Sequence, residues 1–256
     1  METEEITKLV VLCGSAVLAG IVNSVAGGGT LLTFPAFVWT LADSVKANAT
    51  STMVLFPGSL AAVWGYRREL KEQKKWIVPL LIPSLVGGFL GTWLVLQNER
   101  AFEKLVPWLI LLASALFLSQ PLISRLTGIG QAHQQPSRGL FISIIFFQFL
   151  VALYGGYFGA GIGILMLSSL ALMGIGDIHQ MNALKSLLAS AINAMSVLLF
   201  IANGKVDWKY AFPTIIAAII GGFVGASVAR KLEKNLVRYS VIAIGFSLAA
   251  YYFARS

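Results

Sequence analysis

Glycines interrupt two apolar segments of this chain at places where the backbone itself could bind an anion. Three consecutive glycines at positions 27–29 precede Thr30, and Gly161 and Gly163 flank Ile162 in a later segment. Glycine has a low helix propensity and accepts positive φ, so we expect each cluster to unwind the chain and a new helix to begin after it. The free N–H groups and positive dipole end of such a helix start can bind an anion without a charged side chain. The alternative is close helix packing through small residues.

Polar residues open the apolar segment that follows each glycine cluster. Asn48, Thr50 and Ser51 do so in the first half of the chain, and Asn182 and Lys185 in the second. Amides and hydroxyls can donate hydrogen bonds to an anion, although helix capping or interhelical bonding is the alternative. Lys185 is the more specific signal, because an ionisable side chain at membrane depth is costly and usually functional. Its alternative is a lysine that extends to the membrane interface.

The predicted substrate site combines these glycines with the polar residues around them. Asn23 precedes the first cluster, and Tyr157 precedes the second, where it either contacts substrate or packs against neighbours. Two helix starts could then meet near the middle of the membrane around one anion. The predicted substrate-binding residues are Asn23, Gly27, Gly28, Gly29, Thr30, Asn48, Thr50, Ser51, Tyr157, Gly161, Gly163, Asn182, Lys185 and Ser186.

Other kinds of chemistry have little support in the sequence. All eleven Asp and Glu residues lie in tails, loops or segment ends, so a proton relay through buried acids is not favoured. The two histidines, His133 and His179, show no paired metal-ligand spacing, and Cys13 is the single cysteine. The sequence has no Gly-x-x-x-x-Gly-Lys-Ser/Thr element for nucleotide phosphates. We therefore predict a protein that is not an enzyme, with no catalytic residues, no metal site and no cofactor.

The chain repeats itself at a constant offset. Asp43 returns as Asp177 and Asn48 as Asn182, each 134 residues later, and the glycine-rich stretch at 87–91 returns at 221–225. This predicts a first transmembrane repeat at residues 1–123, a cytoplasmic linker at 124–138, and a second, inverted repeat at 139–256. We expect the two later glycine stretches to be packing faces, and the two aspartates either to cap the helices that follow them or to form a turn there.

Composition places the whole chain in a membrane. Hydrophobic residues make up 57% of it and charged residues 12%, where a soluble domain carries about 25% charged residues. Ten apolar stretches can be drawn, of which residues 30–41 and 162–175 are too short to span a bilayer comfortably. The predicted fold is all-α: a polytopic membrane protein of two inverted repeats, each with a broken or re-entrant helix pair plus three spanning helices.

The distribution of basic residues predicts the orientation. Nine of the nineteen Lys and Arg residues lie at 67–75 and 230–238, so both segments are expected on the cytoplasmic side. Both termini then lie outside. The formal net charge of +8 is explained by this loop charge and does not indicate nucleic-acid binding. The polar stretches at 67–75 and 131–138 are predicted to be loops.

The motifs resemble those of the TauE/SafE family, the sulfite-exporter-like membrane proteins. Residues 25–35 read Val-Ala-Gly-Gly-Gly-Thr-Leu-Leu-Thr-Phe-Pro, which is similar to the glycine-rich element of that family, and residues 158–165 are its counterpart in the second half. Residues 47–51 look like the family's Ala-x-x-Thr-Ser element. The second half departs from the pattern, with Ile162 in place of a glycine and no proline after Leu165. The resemblance covers residues 8–253 and implies transport of sulfur oxyanions or organosulfonates across a bacterial inner membrane.

These observations together predict a secondary transporter for a small sulfur-containing anion, either sulfite or an organosulfonate, that works by alternating access. The expected partners are the small anionic substrate, the lipid bilayer and a coupling ion, either Na⁺ or H⁺, with uniport as the alternative. An anion channel is the alternative function, and a subunit that only binds another membrane protein is a weaker one. The sequence leaves the substrate, the direction of transport and the oligomeric state open.

Overall fold

The computed structural model describes residues 2–25, 28–127, 136–175, 177–228 and 234–254, and every regular element among them is a helix. The protein is therefore all-α, as predicted. The helices are α1 (Glu2–Val25), α2 (Thr30–Leu41), α3 (Ser44–Gly65), α4 (Arg67–Glu72), α5 (Lys74–Gln97), α6 (Glu99–Thr127), α7 (Arg138–Tyr157), α8 (Ile162–Ala171), α9 (Ile178–Ala202), α10 (Trp208–Val228) and α11 (Lys234–Phe253).

Several helices are long and apolar enough to cross a bilayer. Among the described residues these are Thr3–Asn23, Lys74–Gln97, Glu99–Thr127, Arg138–Tyr157 and Ile178–Ala202, which confirms a polytopic membrane protein. The two short apolar helices that follow the glycine clusters are α2, with 12 residues, and α8, with 10. Neither is long enough to span a hydrocarbon core of about 30 Å, so each must pair with other elements at membrane depth.

The polar stretch at 67–75 is not simply a loop. It contains the short helix α4, and Lys74 and Lys75 already belong to α5. The prediction missed α4 because its sequence, Arg-Arg-Glu-Leu-Lys-Glu, has a single apolar residue and no periodicity, although its residue types favour helix. Residues 131–135 of the second polar stretch lie outside the described residues, and Arg138 already begins α7. Residues 124–127 of the predicted linker belong to α6.

The two aspartates that recur at the same position cap helices, which confirms that prediction. One carboxylate oxygen of Asp43 accepts hydrogen bonds of 2.9 Å from the N–H groups of Val45 and Lys46 at the start of α3. Asp177 accepts one of 2.9 Å from the N–H of His179 at the start of α9. Each aspartate therefore satisfies backbone donors that the helix itself cannot pair.

The closest helix pairs each combine one helix from the first half of the chain with one from the second, and we call these the exchanged contacts. Helices α1 and α10 pack along each other, and so do α7 and α5. At the repeat offset α7 is the counterpart of α1, and α5 the counterpart of α10, so each of these contacts is the image of the other. Two other large contacts join a helix to its own counterpart, α3 with α9 and α6 with α11. Helix α5 also packs on α9, and the image of that contact is the packing of α10 on α3. This is the pattern that two related halves with a local two-fold relation would give.

Glycines make the exchanged contacts close. A Cβ at Gly87 would meet the backbone of α7 at Phe149, and one at Gly221 would overlap the carbonyl oxygen of Val17 in α1. A Cβ at Gly156 would overlap the carbonyl oxygen of Gly88. The prediction that these later glycine stretches are packing faces is therefore confirmed for these positions.

Candidate functional site

The side chain of Asn23 stabilises the first helix break, between α1 and α2. Gly28 has φ +92°, a left-handed conformation that favours glycine, and the side-chain oxygen of Asn23 accepts a 2.8 Å hydrogen bond from the N–H of Gly29. Asn23 was predicted to contact substrate, and in the structure it holds the junction between α1 and α2. Gly27 lies outside the described residues.

The start of α2 has already used several of its backbone donors. The N–H of Leu31 donates to Gly28 O at 3.0 Å, and those of Leu32 and Thr33 donate to Gly29 O at 3.0 and 3.1 Å. Thr30 begins the helix and is partly buried. Because these donors are paired, the first junction offers an anion fewer N–H groups than the sequence predicted.

The second break has a different support. Gly159 and Gly161 have φ of +83° and +81°, and the hydroxyl of Tyr154 donates a 2.7 Å hydrogen bond to the carbonyl oxygen of Ala160. The sequence did not predict this role for Tyr154. Its equivalent in the first half, 134 residues earlier, is Gly20, which has no side chain that could suggest a polar role. The chain turns here and α8 begins at Ile162.

Both breaks lie against the same part of α6. A Cβ at Gly28 would overlap the ring of Phe117, and one at Gly161 would lie 3.4 Å from the side chain of Leu116. The two predicted junctions are thus brought to neighbouring residues of one helix. Phe117 is 1% exposed, so an apolar ring occupies the first junction.

Lys185 lies beside the first turn of α8. A methyl group at Gly163 would be 3.5 Å from Cδ of Lys185, so the lysine stem runs past the start of that helix. Its ammonium group donates a 2.8 Å hydrogen bond to the side-chain oxygen of Asn182. Lys185 is partly buried and makes no salt bridge with the described residues. The structure therefore brings together three predicted site residues, Gly163, Asn182 and Lys185, around an uncompensated positive charge.

The counterparts in the first half are used differently. The hydroxyl of Ser51, at the position equivalent to Lys185, shares a 2.7 Å hydrogen bond with Thr33, and both side chains are fully buried. Thr50 accepts a 3.1 Å hydrogen bond from the N–H of Asp207, just before α10. These predicted site residues hold helices together in the structure. Ser186 is buried beside Lys185 in the sequence, with 8% exposure.

Asn48 connects the two halves of the chain. Its amide nitrogen donates a 3.1 Å hydrogen bond to the carbonyl oxygen of Tyr157, 109 residues away, while its side-chain oxygen is buried and has no partner among the described residues. The ring of Tyr157 packs edge-on against Phe102 at 5.4 Å. A buried acceptor without a donor costs about 1–3 kcal/mol, so Asn48 offers an oxygen to any donor or cation that enters.

The family of the chain follows from its sequence as a whole. The profile described as "Sulfite exporter TauE/SafE" matches residues 12–252. The chain belongs to this family. Its relatives are similar over nearly their full lengths. A protein of Haemophilus influenzae named "Probable membrane transporter protein" is 28% identical over 247 residues, covering 96% of this chain and 94% of the relative.

Two further relatives are similar to this TauE/SafE protein. "Probable membrane transporter protein YfcA" of Escherichia coli K12 is 28% identical over 240 residues, covering 92% of this chain and 86% of the relative. "Probable membrane transporter protein YunE" of Bacillus subtilis is 24% identical over 273 residues, covering 94% and 97%. No solved structure matches the chain. Family and relatives together make this protein a multi-pass membrane transporter and not an enzyme.

Proposed function

We propose that this TauE/SafE protein is a secondary transporter that moves a small sulfur-containing anion, of the sulfite or organosulfonate class, by alternating access. The family description and the names of the relatives support membrane transport. The sulfur-containing substrate rests on the resemblance of the glycine-rich motifs to the family and on the chemistry of the site around Lys185.

The observation that carries the proposal is the position of Lys185 at the start of α8. The N-terminus of a helix has about half a positive charge, and the lysine, whose Cδ lies 3.5 Å from a Cβ built at Gly163, adds a full one beside the same turn. Two positive groups repel each other in a medium of low dielectric constant, and the amide oxygen of Asn182 compensates only part of this. A bound anion would neutralise both, which is why the site favours an anionic substrate over a neutral one.

The remaining predicted residues have lesser roles in the proposed site. The first N–H groups of α8, at Ile162 and Gly163, have no acceptor within the helix by geometry and point toward its N-terminal end. Asn182 positions the lysine, and the free oxygen of Asn48 would take a donor group of a protonated substrate or a coupling cation. We keep Na⁺ and H⁺ as the two candidate coupling ions.

Alternating access is the mechanism that the packing supports. The exchanged contacts of α1 with α10 and of α7 with α5 fit two inverted repeats, residues 1–123 and 139–256, joined by a linker at 124–138. Rocking the unit that contains α1 and α10 against the unit that contains α5 and α7, each of which combines helices of both repeats, would expose Lys185 first to one side and then to the other. The Asn48–Tyr157 hydrogen bond crosses between the repeats and would be made or broken in that movement.

The proposed orientation in a bacterial inner membrane can be tested at one position. We expect a reporter or a labelled cysteine at Lys71, in the exposed basic helix α4, to be on the cytoplasmic side, with both termini outside. The measurement is labelling by a membrane-impermeant reagent in intact cells and in inverted vesicles. Labelling of Lys71→Cys in intact cells would reverse the orientation.

The function is tested with the purified chain in liposomes. We expect uptake of sulfite, thiosulfate, sulfoacetate or taurine to exceed uptake of chloride and of a neutral solute of similar size, and to be saturable. Imposed Na⁺ and H⁺ gradients, applied one at a time, identify the coupling ion. Currents far above carrier turnover would instead establish the anion channel. No flux of any anion by the chain alone would contradict both and favour an accessory subunit.

A further inference from the structure

A groove on the outer surface of the protein lies between α5 and α7. Its volume is about 430 Å³, and its lining is apolar apart from backbone. Near the beginnings of the two helices the rings of Trp76 and Phe141 pack with centroids 5.4 Å apart. Further along, the side-chain amide of Gln148 donates a 2.9 Å hydrogen bond to the hydroxyl of Ser84. The two helices therefore run parallel along the groove. Both helices therefore begin at the same end of the groove.

On α5 the groove is lined by one helical stripe that ends in a basic residue. Pro79, Ile82, Pro83 and Val86 line it, and Lys75 lies one turn before Pro79 on the same face. Apart from the neighbours Ile82 and Pro83, successive residues of this stripe are three or four apart, the spacing of one helix face. Lys75 is exposed and occupies the N-terminal end of this stripe.

On α7 the same spacing recurs. Ile142, Ile145, Phe146 and Phe149 line the other wall, and Arg138 lies one turn before Ile142 on the same face. Arg138 is also exposed. The two walls are thus identical in arrangement, each an apolar stripe with a single cation at its N-terminal end, and neither cation makes a salt bridge with the described residues.

We propose that this groove binds an anionic phospholipid, with one acyl chain along the apolar stripes and the phosphate between Lys75 and Arg138. Lys75 and Val86 are eleven residues apart, which is about 16 Å along a helix and matches one leaflet of a hydrocarbon core of about 30 Å. The N-termini of α5 and α7 add two positive dipole ends at the phosphate position. Basic pockets between transmembrane helices are suited to anionic lipid headgroups.

Trp76 positions the headgroup end. The ammonium group of Lys75 lies 4.7 Å from the centroid of the Trp76 ring, and that ring packs on Phe141. Tryptophan favours the membrane interface, where its ring is apolar and its N–H is wet. The cation is therefore held at interface height, where a lipid phosphate lies.

The experiment measures lipid binding to the full chain purified in detergent, by native mass spectrometry. The probes are phosphatidylglycerol and phosphatidylcholine with the same acyl chains. We expect phosphatidylglycerol to bind more tightly, and the double variant Lys75→Gln/Arg138→Gln to lose roughly 30-fold in affinity for it, because each basic residue near a membrane surface contributes about a fivefold factor. Phosphatidylcholine binding should not change.

Two further variants separate this site from general surface charge and from a protein interface. The double variant Lys71→Gln/Arg125→Gln removes the same charge outside the groove, from exposed residues, and should keep phosphatidylglycerol binding. Ile142→Trp fills the groove at a side chain that is 60% exposed, and should lose binding with both cations present. Equal binding of the two lipids, or an equal loss in the Lys71/Arg125 control, overturns the proposal. A chain dimer that Ile142→Trp dissociates, with lipid binding unchanged, would instead make the groove an interface between two copies.

Discussion

Replacing Lys185 by methionine is expected to lower anion uptake in liposomes roughly 100-fold while the protein stays folded. A unit charge and an anion about 4 Å apart interact with about 4 kcal/mol at an effective dielectric constant near 20, and partial exposure reduces this by screening. A neutral hydrogen bond contributes only about 1 kcal/mol, so the charge dominates binding at the site. Methionine keeps the unbranched apolar stem that lies over Gly163.

Lys46→Met is the matched control for this experiment. Lys46 lies near the start of α3, a helix that follows the short helix α2 as α9 follows α8, but its side chain is exposed. We expect its replacement to leave uptake within about twofold, since an exposed lysine pairs weakly with any ligand. Full uptake by the Lys185→Met protein, with thermal stability equal to wild type, would remove Lys185 from the site and with it the main support for the anion proposal.

Replacing Gly221 by alanine is expected to destabilise the fold by about 1–3 kcal/mol or more. The new methyl group would overlap the carbonyl oxygen of Val17, and neither backbone can move aside without separating α1 from α10. Overpacking of this kind forces backbone shifts with costs in that range. Thermal unfolding in detergent, followed by a thiol-reactive dye on Cys13 in α1, measures the effect at the contact concerned.

The adjacent glycine provides the control. No described atom lies within 4 Å of a Cβ built at Gly222, so Gly222→Ala should unfold at or above the wild-type temperature, because alanine favours helix by about 1 kcal/mol. Equal stability of the Gly221→Ala and Gly222→Ala proteins would show that the α1–α10 contact is looser than the structure has it.

The helices could be predicted where the pattern of apolar residues agrees with the residues that start or stop a helix. Helix α2 begins at Thr30 after the glycines and ends at Leu41 before Asp43, the bounds that the sequence predicts. The capping role of Asp43 was readable for the same reason, since its side chain acts on the next few residues of the chain. Helix α4 was missed because it has no apolar period.

The site was harder to predict because its polar residues have partners far away in the sequence. Whether the hydroxyl of Ser51 faces a substrate or Thr33 depends on the packing of α2 on α3, and the bond of Thr50 to Asp207 spans 157 residues. Type and spacing identified the residues that lie at the helix breaks. They could not separate those that bind the helices together from Lys185, whose charge has no acidic partner among the described residues.

The exchanged pairing of α1 with α10 and of α7 with α5 has a consequence for biosynthesis. When the ribosome has completed α6, α1 still lacks the helix that covers its glycine face, and α5 lacks α7. The newly inserted first half therefore lies in the bilayer with the packing surfaces of α1 and α5 exposed to lipid until α7 and α10 have been synthesised. Neither half alone can form the close contacts of α1 and α5, so the membrane domain can complete its packing only after the second half has been inserted.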